Sequence, residues 1–380
     1  MRITFPHMGN SYIAISSLLK ELGLDVVVPP PCSKRTLELG IRYSPEFVCL
    51  PFKINLGNYL EAMDQGAEAI LMAGGWGPCR FGYYAQVERD ILQDLGREFN
   101  MVIIEAPDSK LPSLLNQVRQ MGIKTSWFQV WSAIRLAWEK LKAVDRLEAL
   151  QHYWLPRVAD KSRCESMVDA GLKSVDGCGE LREMAALVDK VDRDLSGLGR
   201  DVDNNNPIRI GLAGEIYTLL EPFANYYLER QLGRMGVEVV RDVNLTQWVN
   251  DHLFGGVLPS APSLHTTLPL ATPYLQYWVG GHGRETVAST VGYARQKLDG
   301  VIQVAPLTCM PEIVAQSVLE KVQEEEGIPV MTMYFDEHAG EVGIITRLEA
   351  FLDMIRWRKM KTGDTDAKNL SGSRRRLCQH

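Results

Sequence analysis

Seven cysteines are spread along the 380-residue chain, at Cys32, Cys49, Cys79, Cys164, Cys178, Cys309 and Cys378. An odd number of thiols in a long chain with no export signal does not read as a disulfide framework. The roles left are inert packing, a reactive nucleophile, or metal ligation, and position separates them. Cys49 ends the run EFVC and precedes Pro51. Cys79 lies in the Gly-rich turn AGGWGPC after AILM, and Cys309 follows VIQVAP and precedes Pro311. All three are expected at the carboxyl ends of parallel strands, where the chain turns into a helix. A thiol there feels the positive end of the helix dipole and nearby free N–H groups, and both favour the thiolate that metals bind. Gly74, Gly75 and Gly77 are expected to keep the backbone slim around Cys79. An inert cysteine more often faces a helix from mid-strand, so three in three separate strand-to-helix turns favour a metal or cluster site.

Cys32 follows the run LDVVVPP and is a candidate fourth ligand. Cys164 and Cys178 fall in helical sequence and read as packing or surface thiols, and Cys378 as an idle thiol in the tail. Structural zinc usually draws on closely spaced C-x₂₋₄-C pairs. No such pair exists here, and the candidate ligands span about 260 residues. A cofactor bridging two domains fits a 4Fe–4S cube better than a zinc staple, a missing fourth thiolate leaving one iron open. Zinc stays as the alternative.

The elements that must position these thiols follow from periodicity. Over 1–112, short Val/Ile-rich runs (RITFPH, LDVVVPP, EFVCLPF, AEAILMAGG, MVIIEAP) alternate with helical stretches, the pattern of a parallel sheet covered on both faces. From 113 to 206 strands give way to helical sequence such as WFQVWSAIRLAWEKLKAVDRLEAL, closed by the turn-rich DVDNNNP. Alternation resumes over 207–357 with IRIGLAG, VEVVRDV, GVIQVAP and VMTMYFD, and 358–380 reads as a disordered basic tail. The expected fold class is therefore α/β, with two Rossmann-like parallel-sheet domains and a helical segment between them.

Composition is that of a soluble globular protein, with 46% hydrophobic residues, 23% charged residues and a net charge of −6. No broad basic surface is implied, which argues against nucleic acid as a partner, and the run Arg374-Arg375-Arg376 reads as a solvated end. The N-terminus lacks an apolar signal core and the chain lacks a run of about 18 apolar residues, so a cytoplasmic protein with no membrane partner is expected.

Other polar groups are expected near the same crevice. Glu215 and Tyr217 follow a Gly-rich turn that lacks the full G-x-G-x-x-G, so they line the crevice or cap a helix without implying a nucleotide site. Asp336, Glu337, His338 and Glu341 follow VMTMYFD on the side of Cys309, as proton carriers or as a solvated loop. His282 precedes a helix, and His7 and Asn10 follow the first strand. Lys53 and Arg80 neighbour the cysteines and would offset the charge of a reduced cluster. Thr346 and Glu349 read as a T-x-x-E capping box.

The segments FVCLPFKINLGNYLEAM, ILMAGGWGPCRFGYY, GEIYTLLEPFAN, VIQVAPLTCMPE and FDEHAGEVGIITRLEAFLDM together give a resemblance that runs from about residue 1 to 357. The chain resembles the 2-hydroxyacyl-CoA dehydratase, benzoyl-CoA reductase and double-cubane cluster protein superfamily, in its CoA-protein-activase-related branch. The resemblance implies a 4Fe–4S cluster held by Cys49, Cys79 and Cys309, with Cys32 as a further metal ligand that would close the open iron. It also implies a low-potential electron from an actin/Hsp70-type ATPase activase, spent on reduction or dehydration of an acyl-CoA-type small molecule in anaerobic metabolism. Glu215, His338, Glu341 and His282 are the weak candidates for proton transfer, and a dimer is expected by analogy. The alternatives are a cluster-carrying electron-transfer or maturation partner without catalysis, and a zinc-stapled binding protein. A double-cubane cluster would need about six thiolates, more than the four in suitable places.

Overall fold

The structure, a computed structural model, describes residues 1–75, 77–104, 126–199, 206–253 and 264–376. The N-terminal lobe runs β1 (Arg2–Thr4), α1 (Tyr12–Glu21), β2 (Asp25–Val26), α2 (Lys34–Tyr43), α3 (Leu50–Asp64), β3 (Ala69–Ala73), α4 (Tyr84–Asp94) and β4 (Asn100–Ile104). Three helices follow: α5 (Trp127–Trp154), α6 (Lys161–Gly177) and α7 (Leu181–Leu198). Ser126 starts the first of them with a capping box to Gln129. The C-terminal lobe runs β5 (Ile208–Gly214), α8 (Ile216–Leu220), α9 (Leu228–Arg234), β6 (Val237–Arg241), α10 (Leu245–Leu253), α11 (Leu264–Thr267), α12 (Gly283–Arg295), β7 (Gly300–Pro306), α13 (Met310–Glu326), β8 (Val330–Phe335) and α14 (Glu341–Arg376).

Each lobe carries a four-stranded, wholly parallel sheet, ordered β2-β1-β3-β4 in the first and β6-β5-β7-β8 in the second. The chain is thus an α/β protein with two Rossmann-like domains. In both sheets the order of strands reverses at the same place, between β1 and β3 and between β5 and β7. The crevice beyond the strand carboxyl ends at such a switch point is where doubly wound folds bind ligands. β7 is buried along its whole length, as a strand covered on both faces must be.

Helix α3 joins the lobes. Its Leu50 and Ile54 pack into the core built on Ile210, Leu212, Ile302 and Val304, while Phe52, Leu56, Tyr59 and Leu60 pack with Ile70, Met72 and Leu92. A helix buried on both faces carries its polar residues inside, so Lys53, Asn55, Asn58 and Glu61 are all buried. The three-helix segment has its own core, in which Cys164 and Cys178 are packing residues.

Four expectations change. EFVC is not a strand: Val48 and Cys49 lead straight into α3, because a four-residue apolar run between Pro45 and Pro51 is too short to pair and Pro51 suits a helical first turn. Cys32 does not end a strand either, since β2 stops at Val26 and prolines carry the chain on in coil. Thr346 lies inside α14, its hydroxyl donating to Val342 O, so Thr346 and Glu349 cap nothing. The backbone stays helical from Glu341 to Arg376, so residue 358 marks no end of structure; no proline interrupts the sequence there. The domain limits drawn at 112 and within DVDNNNP, and Cys378, fall on or beside residues outside those described. Among the described residues, no helix is long and apolar enough to cross a membrane.

Candidate functional site

Cys49, Cys79 and Cys309 each take the residue position just before a helix, with extended backbone angles: Cys49 before α3, Cys79 before the short turn Arg80–Tyr83 that leads into α4, and Cys309 before α13. Cys79 and Cys309 follow β3 and β7, which occupy equivalent places beside the switch points of the two sheets. The backbone amides of Phe81 and Glu312 reach back to Cys79 and Cys309 and favour their thiolates.

One carboxylate ties the set together. Glu215, just past β5, raises the proton affinity of Cys49, Cys79 and Cys309 alike, and Cys49 is within electrostatic reach of both other thiols. The Glu215 side chain caps α8 by accepting from Tyr217 N at 2.9 Å, Thr218 N at 2.8 Å and Thr218 Oγ1 at 2.7 Å. Capping and lining the crevice are therefore the same act.

Arg80 straps the three loops. Its guanidinium donates to Phe47 O at 2.8 Å, to Thr308 Oγ1 at 3.0 Å and to Thr308 O. It thereby joins the neighbours of Cys49 and Cys309 to Cys79. Thr308 holds φ of 67°, a left-handed conformation that a β-branched residue adopts at a cost of about 1–3 kcal/mol. Its hydroxyl also reaches Phe47 O at 3.3 Å. Such strain is kept where the surroundings over-determine it, here on the residue that aims Cys309.

Burial pushes the Cys49 thiol up to about 11, despite the Tyr84 hydroxyl against its sulfur, and Cys79 and Cys309 are raised for the same first reason. The expected gain from the helix N-termini is thus outweighed by desolvation and by Glu215. Glu312, on the first turn of α13, is pushed up to about 8 by burial, although Thr286 Oγ1 and Gln303 Nε2 donate to it. Glu285 follows at about 7, again through burial.

An iron–sulfur core requires thiolate donors, backbone amides and slim walls. Three thiols from both lobes supply the first, and the backbone amides of Phe81 and Glu312 the second. Gly281, with φ of 46°, supplies the third: a Cβ there would stand 3.7 Å from Cys79 Sγ and 3.2 Å from Pro311 Cγ. The residues fit the group. Gly77 serves a different end from the one expected, since its φ of 86° and missing side chain seat the ring of Trp278.

Cys32 stands elsewhere. Its sulfur lies 3.8 Å from His7 Nδ1, 3.6 Å from Asn58 Oδ1 and 3.9 Å from the Tyr217 hydroxyl, and the carboxylate it feels is Glu221. Asn10 turns away to donate to Glu148 Oε1 at 2.8 Å. Lys53 is buried against Glu337 and Glu46 O, so its charge is already paired. His282 precedes α12 beside Gly281, on the cysteine side. His338 is exposed, and Glu341 accepts from Gln231 Nε2 at 3.3 Å at the start of α14. Sequence reasoning missed Glu312, Tyr84, Thr308 and Glu221. Of these only Glu312 carried a local signal, three residues beyond Cys309 on the same helical turn. The stretch SAPSLHTTLPLATPYL packs at least in part, with Ala271 in a core beside Val287 and Leu319.

No protein-family model matches the chain, and no curated protein matches it.

Proposed function

We propose that this chain is a cytoplasmic iron–sulfur protein that holds a 4Fe–4S cluster on Cys49, Cys79 and Cys309. It takes low-potential electrons from an ATP-hydrolysing activase of the actin/Hsp70 type and spends them on reduction or dehydration of an acyl-CoA-type substrate, as a dimer. The observation that carries the reading is the gathering of three thiols at helix N-cap positions, from both lobes and two of them beside sheet switch points, on loops strapped by Arg80 and within reach of Glu215. When bound, the cluster supplies one-electron chemistry and, on three thiolates, an iron open to a further ligand.

The chain's own residues do the rest. Arg80 holds the three ligand loops in register and places a positive charge beside Cys79. Tyr84 hydrogen-bonds the Cys49 sulfur, which tunes the electron density there. Glu312 keeps a proton near Cys309 at neutral pH, held in place by Thr286 and Gln303. Cys49 and Cys309 are buried while Cys79 is partly open, and Phe47, Tyr83 and Tyr277 stand exposed around that open side. Exposed aromatic side chains of this kind suit the docking of a protein partner that delivers electrons.

A second reading, an electron carrier without catalysis, is favoured by the burial of two of the three thiols. Anaerobic protein mixed with activase, ATP and a low-potential reductant tests both. ATP-dependent bleaching of the cluster is expected, followed by turnover of an acyl-CoA; bleaching without turnover favours the carrier, and no iron in the protein defeats both.

A further inference from the structure

We propose that His7, Cys32 and Glu221 form a separate mononuclear site for a zinc-class divalent cation, which pins the two lobes together. The proposal does not rest on the cluster reading. The three ligand atoms, an imidazole nitrogen, a sulfur and a carboxylate oxygen, lie within 4.8 Å of one another, and all three residues are buried. His7 and Cys32 come from the N-terminal lobe and Glu221 from the C-terminal one. Nitrogen, sulfur and oxygen together are a zinc donor set, with ligand bonds of about 2.0–2.3 Å. Bonds of that length place ligand atoms about 3.3–3.8 Å apart. The structure has Nδ1 of His7 at 3.0 Å from Glu221 Oε2 and at 3.8 Å from Cys32 Sγ. The sulfur and the carboxylate are within 4.8 Å of each other, so side-chain adjustments alone close the set around one ion.

A catalytic cysteine–histidine–carboxylate relay has the same three residue types, and the geometry argues against it. A relay uses one ring nitrogen toward the thiol and the other toward the carboxylate. Here the single atom Nδ1 faces both, which is convergence on a point. All three residues are also buried, which leaves the sulfur little room for a substrate. Glu221 is fixed from behind by Gly9 N at 2.7 Å and Phe223 N at 3.1 Å, in the manner of a preorganised ligand.

Asn58 is the second observation. It is fully buried, its Oδ1 lies 3.6 Å from Cys32 Sγ, and its Nδ2 has no partner among the described residues. The atom able to reach an ion is Oδ1, which also accepts from His7 N at 3.3 Å, and the unsatisfied Nδ2 donor, costly in an interior, suits an acceptor such as a water held by the ion. Binding would release the Cys32 proton and leave His7 neutral, with its proton on Nε2.

The test is metal content of the full-length protein, purified without oxygen and equilibrated with zinc. Wild type is expected to hold one zinc per chain, Cys32→Ser and Glu221→Gln to lose it while keeping iron, and Cys309→Ser to lose iron while keeping zinc. Asn58→Ala is expected to weaken zinc binding about 10- to 100-fold. Cobalt replaces zinc as the optical probe: a near-ultraviolet thiolate-to-cobalt band is expected in wild type and in Cys309→Ser, and lost in Cys32→Ser. Wild-type protein without bound zinc, or zinc kept in full by Cys32→Ser, overturns the proposal. If Cys32→Ser does not fold, the cobalt band in Cys309→Ser decides alone, its presence supporting the site and its absence overturning it.

Discussion

Two buried polar groups lie at seams of the fold, one between the C-terminal lobe and the three-helix segment and one between the lobes, and they differ in how their charge is balanced. Around Arg241, with its side chain only 4% exposed, Glu229 and Glu148 approach at 2.8 and 2.5 Å and His152 adds a contact to Glu229 at 3.0 Å. The buried cation meets its carboxylates, and Glu229 is driven down to about 2: burial works the other way, but Arg241 and then His152 outweigh it. Around Glu215, Cys49, Cys309 and Glu312 are also buried and Cys79 and Glu285 partly so, yet the cation that reaches the thiols, Arg80, is exposed and spends its donors on backbone carbonyls and Thr308. A polar group that only supports the fold completes its own balance, as the first does. The second gathers thiols and carboxyls whose proton affinity burial raises, with no buried counter-charge beside them among the described residues, which suits a site that gives up protons when it takes up positive charge.

The comparison breaks most sharply on iron. Cys79→Ser and Cys309→Ser are expected to remove the cluster, whereas Cys164→Ser keeps full iron content; equal iron loss in all three would show that the ligands are misassigned. Arg241→Ala leaves Glu229 and Glu148 without their guanidinium, with only His152 and Asn10 beside them, and is expected to cost about 3–5 kcal/mol in denaturant unfolding, with iron content per folded chain unchanged. Cys164→Ser, although silent for iron, puts a hydroxyl into the apolar three-helix core and should lose about 1–3 kcal/mol by the same measurement. Arg80→Gln removes exposed hydrogen bonds, so its cost in stability is expected near 1 kcal/mol, but its cluster should dissociate faster in a chelator chase than that of wild type. The smallest effect concerns pH. Glu229 has a lowered folded value, so its contribution to stability is full above about 4.5 and is lost as pH falls toward about 2. Acid titration of stability should show that decline in wild type and a flatter profile in Glu229→Gln.

The strands of the second lobe were legible because Val, Ile and Ala recur in runs bounded by Gly, Pro and Asp, as in GVIQVAP and IRIGLAG. The placement of Cys309 followed from those strands, and that of Cys79 from AILMA in the first lobe. EFVC misled because four apolar residues beside prolines suit a buried helix start as well as a strand, and periodicity over four positions cannot separate the two. The position of Cys49 before a helix survived that error, since Pro51 marks the helix whichever element precedes it. Glu221 was not legible at all: its partner His7 lies 214 positions away, and only the folded chain joins them. Glu215 was half legible, visible as a polar residue after a strand while its reach to three thiols was not. The role of Arg80 as a strap depends on carbonyls of Phe47 and Thr308, groups that every residue carries and no sequence pattern distinguishes.

The most direct test is the iron, sulfide and zinc content of full-length protein purified without oxygen, read beside its visible spectrum. The account predicts brown protein with about four iron and four sulfide per chain, bleached by dithionite. Colourless protein that binds zinc and takes up no iron, even after reconstitution with iron and sulfide, would contradict it.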